Sequence, residues 1–164
     1  MNATRLNRRL FLLTPLALVA CGFTPAYGPG GPAAGLQNSI RIADPADKNG
    51  FDLVERLEER LGRPKAERFD LTYNIKTTAT GVGITPDNAI TRYNLNGEIV
   101  WALTGRTSGA RVTGGTVKSF TSYSATGSTV AGLAAHEDAA RRLMRILADQ
   151  ITARLLATSG SWNQ

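Results

Sequence analysis

One residue of this chain combines a reactive side chain with a position that predicts covalent modification. Cys21 is the only cysteine, and it directly follows an apolar run that extends from Leu10 to Ala20. Three arginines and no acidic residue precede the run. A basic start, a short apolar stretch and small residues before a cleavage point are the parts of a secretory signal. The run is too short for a membrane-spanning helix, which needs roughly 20 residues, so we expect residues 1–20 to be removed on export.

The tetrapeptide Leu-Val-Ala-Cys at residues 18–21 resembles the lipobox of bacterial lipoproteins. That resemblance implies a diacylglycerol on the Cys21 thiol, cleavage before Cys21, and acylation of the new amino terminus. Several acyl chains anchor a protein stably, because each buried CH₂ contributes about 0.8 kcal/mol. The alternative is a plain signal peptide that ends in a cysteine by chance. Arg8 and Arg9 also leave twin-arginine export open beside ordinary secretion.

The processed chain carries little net charge. The full chain of 164 residues has a formal charge of +6, and residues 1–20 contribute three arginines and no acid. The remaining 144 residues therefore hold 16 basic and 13 acidic side chains, a charge of +3. This length fits one domain with a substantial core. A mildly basic surface suits an acidic partner or anionic headgroups, and it does not predict a nucleic-acid-binding protein.

Composition divides the chain into four segments. Residues 1–20 are the predicted signal, and residues 21–38, in which Gly and Pro dominate, are a predicted lipidated tether. Residues 39–158 are expected to form the domain. Residues 159–164 are expected to form a flexible tail, although Trp162 offers that tail a large apolar ring for docking.

Hydrophobic periodicity within the domain predicts the order β-α-β-β-β-α. A short strand at residues 39–43 precedes a helix at residues 50–61, which Gly62 ends. A helix at residues 133–157 comes last. Three strands are expected between the helices, at residues 69–76, 93–103 and 111–126, with a connection at residues 77–89. This order predicts an α+β fold: a two-layer sandwich whose mixed, mostly antiparallel sheet carries two helices on one face.

Two of the predicted strands contain an irregularity. Gly97 interrupts an otherwise regular alternation and allows either a bulge or the close approach of another backbone. In the last strand Phe120 does not share the parity of Val117. We therefore expect a break or bulge near Gly114-Gly115 or Ser119.

No spacing of residues predicts a catalytic or metal site. The only histidine, His136, falls near the start of the last helix, where we expect a helix-face residue rather than a base. Cys21 cannot act as a nucleophile once it is acylated, and the carboxylates do not have metal-ligand spacing. The glycine pairs lie between strands instead of opening a helix, so they do not predict a phosphate loop. We expect a non-enzymatic protein whose only added group is the lipid on Cys21.

The polar face of the sheet is the predicted binding surface. Alternation places Lys76, Arg92, Asn94 and Asn96 on the side away from the helices. Further cations follow in the next turn and strand, namely Arg106, Arg111 and Lys118. Such a face can bind phosphorylated sugars through charge-assisted hydrogen bonds. An ordinary solvated face has the same composition, so residue types alone leave both interpretations open.

Three segments of the chain form a recognisable set. They read CGFTPAYG at residues 21–28, ITRYNL at residues 90–95, and EDAARRL at residues 137–143, the last continuing along one helix to residue 155. Together and in this order they resemble LptE, the family of lipopolysaccharide-assembly lipoproteins, and most closely its alphaproteobacterial branch. That family's fold is a two-layer sandwich of two helices on a mixed sheet, in agreement with the predicted order of elements.

The resemblance implies a role without covalent chemistry at the periplasmic leaflet of the outer membrane. LptE proteins plug the LptD β-barrel, assist its assembly, and help to pass lipopolysaccharide to the cell surface. Lipidation maps onto Cys21. Arg92, in the matched central segment, is a candidate contact for lipopolysaccharide or the partner barrel. Arg106, Arg111 and Lys118 are further candidates from strand geometry and charge.

Two other classes of function remain open. The second hypothesis is a lipoprotein adaptor of another envelope complex, with a sheet edge as its docking site. A small envelope hydrolase is the third hypothesis, and it requires a convergent pocket that holds a carboxylate of perturbed pKa.

Overall fold

A computed structural model of the chain describes residues 25–125 and 128–163. Within them, one four-stranded sheet carries two helices. The elements in chain order are β1 (Ile40–Ile42), α1 (Lys48–Leu61), β2 (Phe69–Ile84), β3 (Ile90–Gly105), β4 (Arg111–Ser124) and α2 (Thr129–Thr158), with a 3-10 turn at Ser159–Ser161. β1 and β2 pair in parallel, and the β2–β3 and β3–β4 pairings are antiparallel. The predicted α+β fold is confirmed, whereas Cys21 and the predicted signal lie outside the described residues.

The core lies between the sheet and the helices. Odd-numbered residues of β3 are almost fully buried, namely Leu95, Ile99, Trp101 and Leu103. Leu143 and Leu147, four residues apart on α2, are also fully buried. Gly97 lies in the same row of β3, and a Cβ atom there would lie only 2.9 Å from a methyl carbon of each leucine. Gly97 pairs in regular register with both neighbouring strands, so the predicted bulge is absent there. The close approach is made by leucine side chains and not by another backbone, which we had predicted.

Side-chain caps and a glycine set the helix ends. Asp47 Oδ1 accepts a hydrogen bond of 2.7 Å from the Gly50 N–H at the start of α1. α1 ends at Gly62, whose φ of 78° lies in the left-handed region that favours glycine. α2 begins at Thr129, a turn earlier than we predicted, because Ser128 caps it through the Ala131 N–H.

The β2–β3 hairpin is much longer than we predicted. Residues 77–84 continue β2, and only residues 85–89 turn the chain, so the predicted connection at 77–89 is mostly wrong. The Thr85 N–H closes the turn with a 2.9 Å hydrogen bond to the Ala89 carbonyl. The threonines of this segment favour a strand. Most of its side chains are exposed on both faces, so it shows no hydrophobic alternation.

β4 contains the bulge that we predicted near Gly114-Gly115. Leu103 and Thr104 of β3 pair with Thr113 and Arg111, so Val112 is an extra residue in β4, two positions before Gly114. β4 then pairs regularly to its end, and Ser119, the other place predicted, shows no break. Phe120 keeps the alternation: it lies on the face away from the helices and is 60% exposed.

The described part of the predicted tether is packed. Residues 25–38 form successive turns, and Ala33 and Leu36 are fully buried. The Asn38 N–H donates a 2.8 Å hydrogen bond to the Leu61 carbonyl at the end of α1. Gly and Pro enrichment predicts turns but does not reveal whether they lie against an apolar surface, so residues 25–38 belong to the domain instead of forming a free tether.

The C-terminal residues pack beside this segment. The Trp162 ring meets the Phe69 ring edge-on, with 5.2 Å between centroids. The side-chain amide of Asn163 donates to the carbonyls of Pro32 (3.2 Å) and Ala34 (3.0 Å). The expected docking of Trp162 is confirmed, and the prediction of a flexible tail is wrong for residues 159–163. We call this end of the molecule, defined by the packed segment 25–38, the start of β2 and Trp162, the base.

Candidate functional site

The open face of the sheet, which is turned away from the helices, is the candidate site. The register places Glu98 between Lys76 and Lys118 across three strands. The adjacent row joins Thr78, Asn96 and Phe120. A shallow concavity of about 470 Å³ lies over these two rows.

The centre of the open face is positively charged. Lys118 Nζ lies 3.2 Å from Glu98 Oε2, and Lys76 is exposed on the other side of the same carboxylate. Two cations therefore lie beside one acid, and only Lys118 forms an ion pair with it. The Asn96 amide reaches Thr80 Oγ1 at 3.4 Å, and the Phe120 ring lies open beside it. Cations, an amide and an exposed ring can bind a phosphorylated sugar by charge, hydrogen bonding and stacking.

Arg92 lies at the far end of β3 from the base. It is exposed, as the predicted outward orientation requires, and it pairs in register with Ser124, the last residue of β4. It forms no ion pair with any of the residues that the structure describes. Six strand residues separate Arg92 from Glu98, the register partner of Lys118, a distance of about 20 Å.

The other two predicted cations lie near the base. The Arg106 guanidinium is paired with Glu67 and with Asp70, the latter at 3.7 Å. Arg111 Nε donates to the Thr113 carbonyl at 3.4 Å. About 45 Å of strand separates Arg106 from Arg92. The four predicted cations therefore do not form one site, because Arg106 is both distant and neutralised.

Sequence reasoning missed an apolar end of the molecule. β2 and β3 extend past the last residue of β4, and their tip exposes Val82, Ile84 and Ile90. Val130 and Leu133, in the first turns of α2, are also exposed. We call this region the hairpin end. Exposed apolar side chains gathered at one end of a molecule mark an interaction surface; the aliphatic residues on both sides of the Pro86 turn were the signal in the sequence.

The lone histidine belongs to an aromatic stack. Tyr123 stacks on Tyr93 with 5.3 Å between ring centroids, and His136 meets Tyr123 edge-on at 5.4 Å. Burial, and to a lesser extent the neighbouring Tyr93, raises the pKa of Tyr123, so its hydroxyl stays neutral near pH 7. His136 is thus the helix-face residue that we predicted. Among the described residues no three His, Cys, Asp or Glu side chains group as metal ligands.

Side chains of α2 cover the outer edge of β4. Arg154 donates to the Thr116 carbonyl at 2.7 Å, and Gln150 donates to the Lys118 carbonyl at 3.4 Å. Arg142 reaches the Ser122 carbonyl at 3.3 Å. These contacts occupy backbone acceptors that an added strand would need. Docking of a partner strand at this edge is therefore disfavoured.

The sequence model of the family described as "LptE: Lipopolysaccharide-assembly" matches residues 37–155, which is more than half of the chain. The chain belongs to the LptE family. LptE proteins are non-enzymatic lipopolysaccharide-assembly lipoproteins, so the predicted family and the prediction of a non-enzymatic protein are confirmed. The match begins within the packed segment that precedes β1 and ends near the end of α2.

Solved structures share this LptE fold. A protein of Caulobacter crescentus CB15 described as a lipoprotein has a TM-score of 0.67 at 21% identity, over 82% of this chain and 99% of its own. The rare lipoprotein B of Shewanella oneidensis has a TM-score of 0.60 at 14% identity, over 77% and 98%. A minor lipoprotein of Acinetobacter baumannii has a TM-score of 0.53 at 18% identity, over 73% and 90%. No curated protein gives a significant match.

Family membership gives this LptE protein the role of a lipopolysaccharide-assembly lipoprotein of the cell envelope. In the part of the chain that the structure describes, neither helix combines the length and apolar character required to cross a bilayer.

Proposed function

We propose that this LptE protein is acylated at Cys21, resides at the periplasmic leaflet of the outer membrane, and occupies the lumen of an LptD-type β-barrel whose assembly it assists. Membership of the family supports the role, and the lipobox supports the anchor. The observation that carries the barrel contact is the hairpin end. Its exposed Ile84 and Ile90 sit on paired strands, so the domain can present an apolar tip to a partner without unfolding.

We further propose that the open face contacts lipopolysaccharide during its passage to the cell surface. This glycolipid is an anionic, phosphorylated sugar, and the face presents exposed cations at Lys76 and Arg92. Phe120 supplies a ring on which a sugar can stack. Arg106 contributes less to lipopolysaccharide binding than its charge implies, because its guanidinium is already paired with Glu67 and Asp70.

Purification from detergent-extracted membranes at native abundance tests the proposed role. A large β-barrel should accompany the chain and be identified by mass spectrometry. Depletion of the chain should lower the amount of lipopolysaccharide at the cell surface. A lone monodisperse lipoprotein together with unchanged surface lipopolysaccharide would contradict the proposal and favour an adaptor of another envelope complex.

The substitution Arg92→Asp tests the open face. Loss of a charge-assisted contact is expected to weaken the affinity for lipopolysaccharide by roughly thirtyfold, about 2 kcal/mol. The melting temperature should not change, since Arg92 is exposed. Arg141→Asp, an equal charge change at an exposed position of α2, is the matched control and should leave binding within a factor of about three, as expected for a rim charge. Equal binding by wild type and Arg92→Asp would exclude Arg92 from the contact with lipopolysaccharide.

A further inference from the structure

Two cations at the base of the domain form no ion pair with any described residue. Lys65 and Arg68 lie between α1 and β2, and both are exposed. Arg68 contacts neutral groups: its guanidinium lies 5.1 Å from the centroid of the Phe69 ring, and Nη1 donates to Asn163 Oδ1 at 3.3 Å. The neighbouring arginines differ, since Arg63 pairs with Glu58 at 3.3 Å and Arg106 with Glu67 and Asp70. These four cations and three acids leave a net charge of +1, and Lys65 and Arg68 are the two cations that remain open to a ligand.

The chain that leads to Cys21 enters the domain at this same end. The Lys65 N–H donates to the Asn38 carbonyl at 2.8 Å, and Asn163 links Arg68 to the segment of residues 32–34. The Ala33 N–H in turn donates to the Ala26 carbonyl at 2.9 Å. Cys21 precedes Pro25, the first described residue, by four positions, which span at most about 14 Å.

We propose that the base binds the anionic headgroups of the phospholipids in the leaflet that holds the anchor. The inference rests on acylation of Cys21, part of the proposed function. Acyl chains on Cys21 would hold Lys65 and Arg68 close to the lipid surface, where their attraction acts within the Debye length of about 8 Å at physiological salt. Tyr27 and Trp162, partly exposed at the base, have the amphipathic rings that favour such an interface.

The headgroup contact and the proposed barrel contact use opposite ends of the molecule. β2 begins at the base and runs 16 residues to the hairpin end, about 50 Å of strand. Headgroup binding at the base therefore leaves the hairpin end free for the proposed barrel contact.

Vesicle binding by the processed chain, residues 21–164 with Cys21→Ala, tests the headgroup contact without any contribution from acyl chains. With the wild-type residues at the base, this chain should bind vesicles that contain phosphatidylcholine and phosphatidylglycerol, and it should dissociate as the salt concentration is raised. It should not bind vesicles of phosphatidylcholine alone. Lys65→Glu with Arg68→Glu should weaken binding by at least about 25-fold, since each basic residue near an anionic surface contributes about fivefold. Arg141→Glu with Arg145→Glu, an equal charge change at exposed positions of α2, is the matched control and should retain binding.

Lys65→Glu alone keeps the test decisive if loss of the Arg68 contacts unfolds the double variant. It should weaken binding at least about fivefold with an unchanged melting temperature. Equal losses in the base and control variants, or wild-type binding that ignores the anionic lipid, would overturn the proposal. If the Cys21→Ala chain does not bind vesicles although the wild type is acylated in cells and co-purifies with a barrel, the headgroup contact alone is overturned. Vesicle binding without acylation in cells would overturn the anchor alone.

Discussion

Gly97→Val is expected to lower the free energy of unfolding by about 3 kcal/mol, because it over-packs a closely packed part of the core. The first added carbon alone would lie 2.9 Å from Leu143 Cδ2 and from Leu147 Cδ1. Both leucines are fully buried, so neither side chain can move aside into solvent. Urea denaturation of the processed chain measures the loss directly.

A double variant separates over-packing from the loss of glycine itself. Leu147→Ala alone should cost about 2–5 kcal/mol, since it leaves a cavity in the core. Combined with Gly97→Ala, it should cost clearly less than the sum of the two single changes, because the cavity accepts the new methyl group. Strictly additive losses would show that the two residues do not compete for the same space.

The sequence predicts those strands that have one buried face and one solvent-exposed face. β3 has this property along most of its length, so its alternation indicated its inward side chains, and its limits to within three residues. The end of β2 lacks it: residues 77–84 are exposed or half-exposed on both faces, and composition alone suggested a loop. The packed segment 25–38 was missed for a related reason. Its buried apolar residues, Ala33 and Leu36, are too few to form a periodic hydrophobic pattern.

The candidate site was predictable in its orientation and not in its electrostatics. Alternation placed Arg92 on the open face, and strand geometry and charge added Lys118. The register shows both residues on that face. Parity carries no information about which acid lies beside each cation. The neutralisation of Arg106 depends on Glu67 and Asp70, more than 30 positions earlier in the chain, being brought beside it by the β2–β3 register. A count of basic residues in the sequence therefore overestimates the positive charge of the surface when the strand register is unknown.

The apolar hairpin end shows the same limit. Val82 and Ile84 lie just before a Pro-Asp-Asn turn, where a sequence pattern suggests a solvated loop. Their exposure follows from the unequal lengths of the strands, since β4 ends opposite Arg92 and leaves the tip uncovered. Strand lengths depend on pairing across the whole sheet, so a short stretch of sequence does not predict that two strands extend past a third.

Cys21→Ala is expected to abolish acylation and to release the chain from the membrane fraction. Without the thiol there is no atom to which the diacylglycerol can be attached, and membrane partitioning should fall by more than about a thousandfold with the loss of several acyl chains. The folded domain should keep its melting temperature, since the buried core of the described domain begins at Ala33. Metabolic labelling with a radioactive fatty acid, followed by fractionation, measures both effects.

Cys21→Ser distinguishes thiol chemistry from a requirement for a small polar residue at the cleavage point. Serine preserves the size and polarity of the side chain, so a plain signal peptide with an incidental cysteine predicts normal cleavage and export for both variants and no label in the wild type. Acylation predicts label in the wild type and none in either variant. Label that persists in Cys21→Ala would place the lipid elsewhere and would remove the reason for assigning the base of the domain to the membrane side.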